Sequence, residues 1–128
     1  MAHRTPVALI VGSDGLVGRA LEERLHHAGA RVIGPTRRPE RVDATHGYLE
    51  LGRRERERIE LPAGEAVAFI CAGITNAEAC RRDAEGSARI NVEATARVVE
   101  QLVQRGTFVI YLSTNQVFDG TKPYRRPE

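Results

Sequence analysis

The sequence predicts an α/β fold, a doubly wound parallel sheet with helices on both faces. Three observations predict it. Short apolar runs alternate with segments of helical period, as repeated strand–helix–strand units do. The runs are almost continuously apolar, as expected of strands covered on both faces. A glycine-rich turn joins the first strand to the first helix.

The elements follow in order. Residues 7–11 (VALIV) form a buried first strand. From residue 16 to 28 the apolar side chains Val17, Leu21, Leu25 and Ala28 share one helical face, and Gly29 stops the helix. Residues 31–34 make a second strand ended by Pro35, and residues 48–51 a short third. The mixed-charge run 53–58 reads as an exposed helical turn or loop, and its acids, which would repel phosphate, argue against a nucleic-acid role. Residues 66–70 form the fourth strand, and Cys80 falls in a helical segment. One helix is predicted over 84–105, with Ile90, Ala94, Val98 and Leu102 on a stripe and Gly106 closing it. Residues 108–112 form the fifth strand, and the tail from Gly120 to Glu128, with two prolines, is a loop. The expected sheet is five strands in the order 3-2-1-4-5. Residues 1–120 make one domain, and 121–128 a loop leading to an absent remainder.

Composition narrows the function classes. At 41% hydrophobic and 28% charged residues the chain has an ordinary globular balance. A net charge of +2, with 18 arginines and one lysine scattered among 17 acids, does not argue for nucleic acid. Cys71 and Cys80 lack partners at metal-ligand spacing and read as buried, reduced thiols; no metal site is expected. His3, His26, His27 and His46 read as surface histidines. No apolar stretch approaches a membrane span of roughly 20 residues, and no signal-peptide core precedes the first strand, so cytoplasmic residence is expected.

The turn Gly12, Ser13, Asp14, Gly15, Leu16, Val17, Gly18 carries the chemistry. Gly12 permits the tight exit from the strand, Gly15 lets backbone approach a phosphate, and Gly18 lets the helix pack closely. The first-turn amides and the positive helix end then face an anion, the pyrophosphate of a dinucleotide. Asp14 is the discordant residue, because a carboxylate beside a pyrophosphate repels it unless it turns away. Dinucleotide folds place an acid after the second strand to hold a ribose 2′-hydroxyl. Here Arg37 and Arg38 stand there instead, which suits a 2′-phosphate and favours NADP, with NAD as the alternative.

The glycine spacing of three and three resembles the extended branch of the short-chain dehydrogenase/reductase superfamily. Cys71, Ala72 and Gly73 after the fourth strand supply small residues at the sheet's switch point. The segment 91–95 (NVEAT) resembles that superfamily's Asn-Val-x-Gly-Thr motif, which implies a supporting role for Asn91. Residues 112–120 (LSTNQVFDG) resemble the Ser-Thr-Asp-Tyr-Val-Phe-Asp-Gly segment of dTDP-4-dehydrorhamnose reductases and related sugar-nucleotide-binding proteins, and Ile74, Thr75, Asn76, Pro123 and Tyr124 match that group too. Asn115 and Gln116 depart from it.

The resemblance implies a Rossmann-type NADP-dependent reductase of a nucleotide-linked 4-keto sugar. Ser113 would line the cofactor, Thr114 would hydrogen-bond the substrate carbonyl as the catalytic hydroxyl, and Glu50 would lie near the adenine amine. The family's proton donor, Tyr-x-x-x-Lys, is not met: position +4 is Gly52 after Tyr48, Asn115 after Tyr111 and Glu128 after Tyr124, and Lys122 is the only lysine. The chain is therefore expected to be a truncated cofactor half that turns nothing over alone, with a last strand whose open edge favours self-association. The same segments also resemble the β subunit of methionine adenosyltransferase, which implies a non-catalytic binding module as the alternative.

Overall fold

β1 (Val7–Val11) runs through the glycine turn into α1 (Leu16–His27), and β2 (Arg31–Ile33) follows. Two single 3-10 turns (Pro39–Arg41 and Arg54–Arg56) lead to β3 (Ala66–Ile70). Then come α2 (Ala77–Arg82), α3 (Ala84–Ala88), a π turn (Arg89–Ala94), α4 (Thr95–Gln104) and β4 (Phe108–Tyr111). The computed structural model describes residues 5–58, 66–114 and 120–121. Within them the sheet is parallel throughout, in the order β2-β1-β3-β4.

The predicted sheet is corrected from five strands to four. Residues 48–51 contribute an isolated parallel bridge, Thr36 to Tyr48, rather than a strand. The Thr36 N–H donates to the Gly47 carbonyl at 2.8 Å, and the Leu49 N–H donates to the Thr36 carbonyl at 3.0 Å. The Gly34 N–H likewise reaches this segment, at the Thr45 carbonyl 2.9 Å away, but the pairing goes no further than Leu49. Beyond it the Glu50 N–H turns to the Arg56 carbonyl at 3.1 Å. The chain still lies where a strand beside β2 would lie, and Leu49 enters the core.

That core joins one sheet face to α4. Leu9, Val11, Ala68 and Ile70 pack against Val98 and Leu102, each at most 1% exposed. The stripe predicted from Ala94, Val98 and Leu102 is buried as spaced, with Ile90 half-buried. The single predicted helix is instead interrupted. α3, capped by the Asp83 carboxylate on the Gly86 N–H at 2.8 Å, passes into the π turn before α4 begins. The extra residue in that turn lets Thr95 donate to the Ile90 carbonyl at 2.9 Å. α2, capped by Asn76 on the Ala79 N–H, precedes it.

The face expected for α1 is also corrected. Leu21 and Leu25 are half-buried, but Val17 and Ala28 are exposed and only Gly18 is buried. The helix is pressed down at its glycine, which leaves its first turn standing clear. Both cysteines are free and half-buried rather than fully buried. Burial pushes the Cys71 thiol up, which keeps it protonated. Among the described residues, no helix is long and apolar enough to cross a membrane.

Candidate functional site

A parallel sheet delivers every strand end to one edge, and a ligand crevice opens where the winding reverses. Here that point lies between β1 and β3, whose exits carry the glycine turn and residues 71–73. The two exits are in tight contact. Gly12 has φ +96°, and a Cβ there would sit 2.5 Å from the Ala72 nitrogen and 2.8 Å from the Cys71 carbonyl carbon. Gly18 is equally constrained, since its Cβ would collide with the Gly12 carbonyl.

Gly15 differs from both. It is exposed, its φ of −78° is open to any residue, and an added Cβ would meet only the Gly12 carbonyl oxygen at an ordinary 3.5 Å. No side chain caps α1, and its first turn holds no acid. Leu16 and Val17 are 89% and 52% exposed. The helix therefore presents unshielded first-turn amides and its positive end to the space above the sheet edge.

The other predicted site residues fall around this edge in different ways. Ser13 faces inward and is fully buried; its hydroxyl lies 3.1 and 3.2 Å from the carbonyls of Gly34 and Pro35, tying the turn to the end of β2. Asp14 turns aside: its carboxylate accepts from the Thr36 hydroxyl at 2.5 Å and pairs with Arg41. Arg37 and Arg38 are exposed, and neither side chain makes an ion pair among the described residues. Glu50 accepts from the Tyr48 hydroxyl at 2.6 Å and lies 3.3 Å from the Arg53 guanidinium. That hydrogen bond to Glu50 raises the Tyr48 pKa. Arg56 lies over the Tyr48 ring, 5.2 Å from its centroid.

Asn91 sits in the π turn and grips the β3 exit loop from below. Its amide oxygen accepts from the Ile74 N–H at 2.7 Å, and its amide nitrogen donates to the Ile74 carbonyl at 2.9 Å. Gly73 leaves room for it, since a Cβ there would meet the Asn91 oxygen at 3.3 Å. Ser113 and Thr114 follow β4 at the same edge, both exposed. Asn115, Gln116, Val117, Phe118, Asp119, Lys122, Pro123 and Tyr124 lie outside the described residues, as do His3 and most of the tail loop.

Two clusters were not legible as such in the sequence. Glu57, expected in a solvated run, is 2% exposed and receives two hydrogen bonds from Arg97, at 2.7 and 2.9 Å. Those bonds hold its carboxyl below the usual range, against the opposing effect of burial. Its other partners are the Gly52 N–H and, through its own carbonyl, Gln101. His46, expected at the surface, is instead half-buried between Glu22 and Asp43, 3.0 and 2.9 Å from their carboxylates. Burial works to lower its pKa, but the bonds to Asp43 and Glu22 prevail and raise it. Among the described residues, no group of three His, Cys, Asp or Glu is placed to hold a metal ion.

A parallel sheet with a glycine turn at the point where its strand order reverses defines a Rossmann-type doubly wound fold. Within that class the chain belongs to the RmlD substrate binding domain family, whose sequence pattern matches residues 7–127. It is 28% identical over 131 residues to methionine adenosyltransferase 2 subunit beta of Bos taurus, covering 94% of this chain and 36% of that protein. In fold it is similar to dTDP-4-dehydrorhamnose reductase of Bacillus anthracis, solved in complex with NADP, at a TM-score of 0.71 and 18% identity over 96% of this chain and 41% of that one. A short-chain dehydrogenase/reductase superfamily protein of Agrobacterium tumefaciens, solved with bound NAD, gives a TM-score of 0.69 at 23% identity over 94% of this chain and 36% of that one.

Proposed function

We propose that this chain is the cofactor-binding part of a reductase for a nucleotide-linked 4-keto sugar, and that it holds NADP(H) in preference to NAD(H). Gly15 carries the reading. Gly12 and Gly18 are demanded by contacts inside the protein, whereas no contact among the described residues demands a glycine at 15. A side chain is missing where only an outside ligand would need the room. The uncapped amides of Leu16 and Val17 beside it suit an anion.

The rest of the edge supports the same ligand. Arg37 and Arg38, at the end of β2 and without an ion pair among the described residues, match the charge and fork geometry of a 2′-phosphate. Cys71, Ala72 and Gly73 keep the crossing point at the β3 exit narrow, and Asn91 holds the loop that follows. Glu50 would lie near the adenine end of the cofactor, and Ser113 beside its nicotinamide end. When bound, the reduced cofactor supplies a hydride to the sugar carbonyl. Thr114 would orient that carbonyl through its hydroxyl. The membership of the RmlD family supports a sugar-nucleotide substrate. The chain spans 36% of the length of the Bos taurus relative, and the whole protein's reaction, its proton donor included, is part of this proposal. The free, half-buried cysteines suit a reducing, cytoplasmic setting.

Calorimetric titration tests the reading. The wild-type chain should bind NADPH more tightly than NADH, and Gly15→Leu should abolish binding of both while leaving the circular dichroism unchanged. A Gly15→Leu variant that binds normally would overturn the phosphate-loop assignment. A wild type that prefers NADH would remove the role given to Arg37 and Arg38.

A second reading has its own observation, the likeness to subunits of methionine adenosyltransferase 2. Under it the fold serves as a partner-binding module without turnover. A Tyr-x-x-x-Lys in the coding sequence beyond residue 128 supports the reductase; a long continuation without one supports the module.

A further inference from the structure

Asp14 is the residue of the glycine turn that the phosphate reading does not absorb. Its carboxylate points neither at the α1 amides nor into water. It reaches the end of β2, where it accepts from the Thr36 hydroxyl at 2.5 Å and pairs with Arg41 from the 3-10 turn Pro39–Arg41. Thr36 is 1% exposed, and its oxygen also accepts from the Arg38 N–H at 3.0 Å. Three segments that are 22 and 27 residues from Asp14, or two from Thr36, thus meet on one carboxylate–hydroxyl pair. Dinucleotide folds lay the adenosine ribose between the glycine turn and the end of the second strand. The Asp14 cluster occupies that interval.

Three arginines are gathered there, and they are not equivalent. Arg37 and Arg38 have no anionic partner among the described residues, while Arg41 is engaged by Asp14. The Asp14 side chain is 18% exposed and that of Arg41 34%, so the pair is partly shielded from water. A guanidinium keeps its charge at all working pH, so its availability depends only on which anion holds it.

We propose that Asp14 restrains the selectivity for NADP(H), acting through Arg41. By holding that guanidinium it withholds the third cation from a 2′-phosphate. A neutral ribose 2′-hydroxyl has no use for that cation. The wild-type site therefore discriminates between the two cofactors only through Arg37 and Arg38. This rests on the dinucleotide reading given above and refines it.

The test is the affinity of the full chain for NADPH and NADH, by titration, in wild type, Asp14→Asn, Arg41→Ala and the double variant. Asparagine keeps an acceptor for Thr36 and removes the charge; Asp14→Ser is the alternative if the first variant unfolds by circular dichroism. Asp14→Asn should tighten NADPH on the order of tenfold and leave NADH nearly unchanged. The gain should vanish in the double variant, and Arg41→Ala alone should change little. An unchanged NADPH-to-NADH ratio, equal gains or losses for both, or a gain that survives without Arg41 would each overturn the proposal while leaving the cofactor site standing. A wild type that binds neither cofactor would instead remove the dinucleotide reading, and this proposal with it.

Discussion

At the scale of single residues, the three glycines of one turn do three separate jobs, and substitution separates them. Gly12 combines φ +96° with a neighbouring backbone 2.5 Å from any added Cβ. Gly12→Ala should therefore cost about 2 kcal/mol or more of folding stability, read from urea denaturation. Gly15→Ala meets no such obstacle and should leave the urea midpoint nearly unchanged. Asn91 makes both its bonds to the backbone of one residue, Ile74. Asn91→Ala should cost about 1–3 kcal/mol and speed amide exchange at Ile74 specifically, measured by hydrogen exchange. Unchanged protection at Ile74 would contradict the supporting role. Much of this was legible in the sequence, because a glycine pattern and an Asn-Val motif are local. The aim of Ser13 and Asp14 was not, because their partners Gly34, Pro35, Thr36 and Arg41 lie 21 to 27 residues away.

At the scale of elements, the segment after β2 is held by polar clamps rather than by a strand. Arg97 in α4 pairs with Glu57 across 40 residues and anchors the turn that follows Leu49. Arg97→Ala leaves a buried carboxylate unpaired and should lower the melting temperature on the order of 5 °C. The Glu57 pKa is depressed in the fold, so its contribution is complete above the ordinary glutamate range and is lost as pH falls through the depressed value. His46 works in the opposite sense. Its pKa is raised, so the Glu22–His46–Asp43 clamp contributes fully below the ordinary histidine value of 6.5 and is lost as pH rises through the raised one. The difference in urea midpoint between wild type and His46→Gln should therefore shrink on going from slightly acidic to alkaline pH. A difference that is flat with pH would refute the clamp. Neither clamp could be read from periodicity, since a mixed-charge run and a lone histidine look alike whether solvated or paired.

At the scale of the whole molecule, β4 is the open side. Phe108, Ile110, Tyr111 and Leu112 are 68%, 37%, 56% and 40% exposed, and nothing among the described residues pairs with the far edge of the strand. An unpaired apolar edge is a template for another strand. The isolated chain should therefore associate as its concentration rises, seen by sedimentation velocity, and Ile110→Lys should keep it monomeric. A chain that stays monomeric at high concentration would show that this edge needs no cover.

The sequence by itself determined the alternation of strands and helices, the parallel sheet and the glycine turn that follows β1. Those properties follow from periodicity and from steric rules acting over a few residues. Only the tertiary structure decided that the outer strand shrinks to one bridge, that Gly15 among the turn's three glycines has room facing outward, and that Asp14 joins Arg41 instead of facing the helix end. Each of those depends on which distant group is nearest in space, and a linear pattern carries no record of that distance.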